Sequence, residues 1–263
     1  PNKFTQQDQD TLEGMQHMLD QGWIIEITDW RQRPGYYSKL KLVKKKSGKW
    51  RSTLACMEIN KRTVKRHFKS DDLRSLKEIL EPGMWMALLD IKDAFYSKTQ
   101  KLVKHFRKYF RFAIKTAQGI KVYEFIVTPQ GWSTSPRAFH IMMKEVTKEA
   151  NNLGIKHCRA TDDVIIVEQN ERRCGRQLDQ FNHILQKHGF EAKKEKEKRP
   201  ARQQVWYGTL IQTHPYVKFS VTKAKIKEMK RAARWTLTNN DLGRLPPRMV
   251  AGFVGKIRAA QLS

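Results

Sequence analysis

The chain has 263 residues, with 52 Lys and Arg against 26 Asp and Glu, a formal charge of +26 at neutral pH. Hydrophobic residues make up 39% and run through the whole length, which excludes a disordered or low-complexity chain, and no apolar run approaches the roughly 18 residues of a membrane span. A charge of this size calls for a partner rich in phosphate, and basic residues interleaved with apolar sequence point to a groove on a folded protein rather than a tail. The three cysteines (Cys56, Cys158 and Cys174) are odd in number and far apart, so a disulfide framework is not expected and a reducing, intracellular compartment is. Cys158, Cys174, His183 and His188 match no zinc spacing, and neither HExxH nor GxxxxGK[ST] occurs. The chain opens on Pro1, which suggests a fragment or processed product.

In chain order, residues 11–25 predict a short helix closed by Gly22, and 36–43 with 50–56 a basic hairpin turning at Ser47-Gly48. Asp71 and Asp72 can cap a helix that runs to Leu80, before Pro82-Gly83. MWMALLD (84–90) is nearly all apolar and stops on a carboxylate, as a buried central strand would. Residues 101–111 carry basic side chains three to four apart, which predicts an amphipathic helix. A second hairpin follows (110–115 with 120–127), then a helix begun by Ser135-Pro136 and reaching about Asn151. Residues 157–169 read as strand, carboxylate turn, strand. A helix over 172–188 ends at Gly189, 203–212 is strand-like, and the last stretches (223–236 and 247–262) are helical and basic.

From 84 to 212 the order is strand, helix, strand, strand, helix, strand once the second hairpin is set aside as an insertion. That is the split βαβ of an α+β, ferredoxin-like fold. In it the strand ending at Asp90 and the strand around 157–162 would be the central pair, so Asp90, Asp162 and Asp163 would meet at one sheet edge. Carboxylates crowded together need cations, and all-oxygen ligands suit Mg²⁺ or Mn²⁺. Two such ions can activate a hydroxyl and stabilise a leaving pyrophosphate.

LDIKDAF (89–95), TPQGWSTSP (128–136) and ATDDVIIV (160–167), in this order and spacing, resemble motifs A, B and C of reverse transcriptases. LKLVKKKSGKWRSTL (40–54) is similar to the fingers hairpin of that family, and GFEAKKEKEK (189–198) and VWYGTLI (205–211) to its remaining palm elements. LPPRMVAGFVGKIRAAQ (245–261) bears a weaker likeness to the segment after the palm in retrotransposon and pararetrovirus polymerases. The resemblance implies a right-hand polymerase: fingers over 1–83, palm over 84–112, a fingers/palm hairpin over 113–128, palm again over 129–215, and a partial helical thumb or connector over 216–263.

It also implies roles. Asp90, Asp162 and Asp163 would bind two Mg²⁺ ions, with the Ile91 carbonyl helping and Asp163 as the outer or partial ligand. Asp93 and Ala94 would lie by the triphosphate, Phe95 would exclude the 2′-hydroxyl, and Gln130 and Gly131 would pack the incoming nucleotide. Lys45 and Arg51 match the phosphate clamp, with Lys44 and Lys46 equally placed for the lysine. Lys196 stands near the proton donor to pyrophosphate, and Trp206, Tyr207 and Gly208 match the primer grip. Trp206 and Tyr207 could equally be core aromatics. The family usually has an aromatic before the variable residue and two aspartates, where this chain has Ala160-Thr161; no metal ligand is lost by it. The implied partners are an RNA or DNA template–primer duplex and dNTPs, with no membrane, in an LTR or tyrosine-recombinase retrotransposon or retrovirus-like element. The competing expectation is an inactive RNA-binding scaffold of the same fold.

Overall fold

The computed structural model describes residues 9–32, 34–44, 50–116, 119–241 and 246–261. The chain divides into two compact units, one of residues 1–68, 92–145 and 188–190 and the other of 69–91, 146–187 and 191–263. Residues 69–83, expected with the fingers, go with the second unit.

In the first unit, α1 (Gln9–Asp20) leads through a left-handed Gly22 into β1 (Ile24–Ile27). The basic hairpin forms as β2 (Leu40–Lys44) and β3 (Trp50–Leu54), followed by a short α2 (Met57–Arg62). The second hairpin, β5 (Arg111–Thr116) and β6 (Gly119–Phe125), joins β1 in a sheet of order β1-β6-β5. Met18, Trp23, Leu54, Tyr96, Phe112 and Phe125 are among its core residues. Within that sheet Arg111 stands opposite Glu124 and pairs with it at 3.1 Å, both side chains buried. The amphipathic helix expected over 101–111 is a single turn, α4 (Lys104–Arg107). Lys101 bridges to Val127 and the Leu102 N–H donates to the Ile126 carbonyl, which holds the chain extended on one side of the turn. On the other side Phe110 is drawn into the core. Tertiary pairing therefore overrides a helical charge spacing.

In the second unit, α3 (Leu73–Ile79) is capped by Asp72, whose carboxylate accepts the Arg74 and Ser75 N–H groups. The sheet consists of β4 (Trp85–Asp90), β7 (His157–Ala160), β8 (Asp163–Glu168) and β9 (Lys198–Ala201) in the order β7-β8-β4-β9, every pair antiparallel. The helices of the split βαβ are α5 (Ser135–Asn152), which crosses the division between units, and α6 (Glu171–Lys187). The second helix lays Cys174, Leu178, Phe181, Ile184 and Leu185 inward.

The α+β, ferredoxin-like order expected from the sequence is present, with two corrections. The second central strand is β8, and the strand over 157–160 is the sheet's edge. Val164, Ile165, Ile166 and Val167 are all completely buried, so the most continuously apolar strand takes the position covered on both sides. The fourth strand is β9 and not residues 203–212. Those fold into a hairpin, β10 (Gln203–Trp206) and β11 (Thr209–Gln212), because Tyr207 and Gly208 both take left-handed φ (50° and 74°) and reverse the chain in two residues. With β12 (Lys218–Val221) they make a separate three-stranded sheet. Pro200 sits in β9, at the sheet's other edge, where a missing N–H costs no ladder bond. Two basic helices, α7 (Lys223–Asp241) and α8 (Pro247–Gln261), complete the unit, and no described helix is long and apolar enough to cross a membrane.

Candidate active site

Central β4 ends on Asp90, which is only 6% exposed, and its register places Asp90 directly opposite Asp163, the first residue of β8. Asp162 lies in the two-residue turn between β7 and β8, and its carbonyl accepts the Ile91 N–H at 2.8 Å. Carboxylates more than seventy positions apart in the chain therefore meet at one end of the sheet. The turn is strained, since Thr161 has φ +59°, a conformation unfavourable for a β-branched residue. Edge strand β7 leaves its outer backbone groups unpaired by the sheet, and residues 70–71 satisfy them. Ser70 Oγ donates to the Arg159 carbonyl (2.9 Å) and accepts the Thr161 N–H (3.2 Å), while the Asp71 carboxylate accepts the Arg159 N–H (2.9 Å). The buried Arg159 guanidinium in turn donates to the Thr161 carbonyl at 2.7 Å.

Two lysines answer the negative charge. A bridge between Ile91 and Ala192, and the Lys193 N–H on the Asp90 carbonyl, bring the segment after Gly189 alongside β4. Lys193 Nζ donates to Asp90 Oδ1 and to the Ile91 carbonyl, and Lys196 Nζ donates to Asp90 Oδ2 at 2.6 Å. The hydrogen bond to Asp90 holds the Lys196 ammonium above its ordinary pKa. Burial, then the charges of Asp162 and Asp90, push the Asp163 carboxyl up to about 6. Mutual repulsion of this kind, beside a backbone carbonyl, is the donor chemistry that suits a hard divalent cation. Among the described residues no three acid, His or Cys side chains are close enough to enclose one ion. The fit therefore rests on the chemistry of the Asp90–Asp163 pair and the Ile91 carbonyl, with the lysines supplying positive charge at the same oxygens.

Asp90, Asp163, Lys196, Trp206, Tyr207 and Gly208 all line one cleft of about 410 Å³. Within the triplet expected to form the primer grip the surroundings differ: Trp206 is buried in the unit's core, and its indole N–H faces no acceptor among the described residues, whereas Tyr207 stands out in solvent at the hairpin turn.

The remaining expected site residues belong to the first unit. Asp93 takes a left-handed φ of 44° and opens a short 3₁₀ turn in which Ala94 is buried. Phe95 is half-buried, edge-on to Phe139 with ring centroids 5.9 Å apart, while its neighbour Tyr96 stacks on Trp23 in the core. Gly131 does permit a close approach, but to the protein's own backbone: a Cβ there would lie 2.0 Å from the Leu54 carbonyl oxygen, at a φ of +111°. The adjacent Gln130 carbonyl accepts the Leu54 N–H at 2.8 Å. Arg51 is exposed on β3. Lys45 and Lys46 lie outside the described residues, as does the Lys44 side chain.

Lys193 was not singled out by the sequence. Its only local signal is a run of alternating Lys and Glu, which resembles a solvated surface. The Ser70–Asp71–Arg159 support was not foreseen either, since the two stretches lie 88 positions apart.

A four-stranded antiparallel palm whose two central strands carry acids at the same end defines the class, a right-hand polymerase palm. A family model described as "Reverse transcriptase (RNA-dependent DNA polymerase)" matches residues 43–211, and the chain belongs to that family. It is 27% identical over 268 residues to the Pol polyprotein of caprine arthritis encephalitis virus (strain Cork), a match covering 94% of this chain and 22% of that protein. It is 29% identical over 217 residues to the Pol polyprotein of ovine maedi visna related virus (strain South Africa), covering 77% and 18%. The chain thus spans about a fifth of these relatives' length. Among solved structures it is similar to a foamy viral protease–reverse transcriptase in complex with double-stranded DNA, with a TM-score of 0.70, 17% identity, and coverage of 99% of this chain and 41% of that one.

Proposed function

We propose that the chain carries out template-directed DNA synthesis, adding deoxynucleotides to a primer 3′-hydroxyl within the Pol-type polyprotein of a retrovirus-like or retrotransposon element. The observation that carries this reading is the single cleft that gathers Asp90, Asp163, Lys196 and the Tyr207-Gly208 turn. In the reaction the primer 3′-oxygen bonds to the α-phosphorus as the bond to the leaving pyrophosphate breaks. Asp90, Asp162, Asp163 and the Ile91 carbonyl would hold Mg²⁺ or Mn²⁺, and a pair of such ions supplies hydroxyl activation and charge stabilisation of the leaving group.

The protein's own groups do the rest. Lys196, an ammonium in the same cleft as Asp90, is the donor to pyrophosphate, and Trp206, Tyr207 and Gly208 position the primer end. Half-buried Phe95 excludes the ribose 2′-hydroxyl, and the motif positions of Lys45, Arg51, Asp93, Ala94, Gln130 and Gly131 assign them to the incoming nucleotide. Template–primer duplex is held through its phosphates by the strongly basic surface. Three free, buried cysteines, each pushed by burial to a pKa of about 12, support residence in a reducing, intracellular compartment.

Primer extension on matched RNA and DNA templates with Mg²⁺ tests the reading. Wild type should extend, and Asp162→Asn should lose about a thousand-fold in rate while still binding duplex. Phe95→Ala should gain ribonucleotide incorporation. If wild type binds duplex with no extension in Mg²⁺ or Mn²⁺, the inactive scaffold replaces this proposal.

A further inference from the structure

We infer that a second cleft, lined by Tyr36, Arg62, Phe106, Tyr109, Phe110 and Trp132 in the first unit, takes an unpaired base of a single-stranded nucleic acid. The cleft holds about 380 Å³, the range in which small ligands are accommodated, and shares no residue with the carboxylate cleft.

Three of its aromatic rings are kept in water: Phe106 is 49% exposed, Tyr109 42% and Tyr36 39%. The other two form a rigid floor. Phe110 is buried and lies 4.9 Å from Trp132, whose indole N–H donates to Thr63 Oγ1 at 3.2 Å and so fixes the plane of the ring. The Tyr36 N–H donates to the Lys108 carbonyl (2.8 Å), which ties its backbone beside Tyr109 before any ligand arrives.

Charge identifies the occupant. Lys61, Arg62, Lys65 and Arg66 are exposed on the α2 side, and Lys104 and Lys108 on the α4 side, with the Lys108 ammonium 5.3 Å from the Tyr109 ring. The one acid in the lining, Glu58, is paired with Lys61 at 2.7 Å. An apolar protein segment would use the rings but not the cations. A nucleic-acid strand uses both, since its bases stack on aromatic faces and its phosphates meet the lysines and arginines. A base inside a duplex has both faces already stacked, so the cleft selects an unpaired one.

The inference rests on the family's nucleic-acid chemistry but not on catalysis, and the experiment keeps the two apart. A short oligodeoxythymidylate bearing 5-iodouracil is irradiated with wild-type protein and the adducts are mapped by mass spectrometry. In parallel, binding of oligodeoxythymidylate and of a blunt duplex is measured for wild type, Phe106→Ala/Tyr109→Ala and Asp162→Asn. Adducts on Tyr36, Phe106 or Tyr109 are expected. So is about ten-fold weaker binding of the single strand to the double variant, with duplex binding unchanged. Asp162→Asn should bind both as wild type does, so an enzyme that fails to extend primers but meets these expectations refutes the polymerase reading alone. Adducts confined to other segments, unchanged single-strand affinity, or an equal loss for both nucleic acids would overturn the cleft's assignment. Because neither ring belongs to a core cluster and each is about half exposed, their truncation leaves the core intact.

Discussion

Thr161 pays for its left-handed φ with about 1–2 kcal/mol, and the turn it belongs to carries Asp162 and leads directly into Asp163. Ala160, in the position the family gives to an aromatic, is buried and bears no group that could support this turn, so the support comes from Ser70 and from the Arg159 guanidinium. Replacing Arg159 with Met keeps most of the apolar volume and removes the bond to the Thr161 carbonyl. Arg159→Met should lose about 2 kcal/mol in urea unfolding and lower kcat for nucleotide addition more than it raises KM, since the acids would be displaced and the nucleotide contacts would not.

The Asp163 carboxyl has its own signature. Its folded pKa of about 6 lies above the ordinary 3.8, so the folded state holds the proton more tightly than the unfolded chain. The stability this group contributes is complete below pH ~4 and is lost as pH rises through 6. Asp163→Asn should accordingly raise the stability of the metal-free protein at pH 7 by about 1 kcal/mol, allowing for solvent screening, and leave it nearly unchanged at pH 4. Thermal melts at the two pH values check this, and a gain of equal size at both would refute the raised pKa of the buried carboxyl. At this scale the acids were legible in the sequence because each closes an apolar strand or turn. Lys193 was not, because side chains within a lysine-rich run differ only in which one the backbone bridge at Ala192 turns toward Asp90.

Among elements, the basic hairpin β2–β3 is locked to the motif B turn through the Leu54 N–H on the Gln130 carbonyl and the fit of Gly131 under the Leu54 carbonyl. Asn60 reinforces the junction by donating to the Gly131 carbonyl at 2.8 Å and accepting the Ser133 N–H. Gly131→Ala combines a backbone clash with an unfavourable φ, and it should cost about 3 kcal/mol or more, read by chemical denaturation. A variant as stable as wild type would show that the hairpin gives way freely. Hairpins, the motif helices and the Asp72 cap could be foreseen because turn residues and hydrophobic periodicity act locally. The helix over 101–111 could not, since its charge spacing is helical but Lys101 and Leu102 pair with residues 126–127 and Phe110 is drawn into the same core.

For the whole molecule the governing quantity is the charge of +26. A protein that neutralises some six to ten phosphates loses about a thousand-fold or more in affinity between 50 and 200 mM salt. Duplex binding by this chain should fall at least that steeply, measured by fluorescence anisotropy across a salt series. A shallow slope would mean that the basic surface is not the duplex track. The charge, the three motifs and the apolar strand ending at Asp90 are properties of the sequence by itself, and they determined the family and the identities of the acids. Only the tertiary structure decided that β8 and not β7 lies beside β4, that β9 closes the sheet while 203–212 folds separately, and that Trp206 is core while Tyr207 stands in solvent. The physical reason is that sequence pattern records which face of a segment avoids water, whereas strand order and side-chain partners are set by pairing between segments far apart, for which no local signal exists.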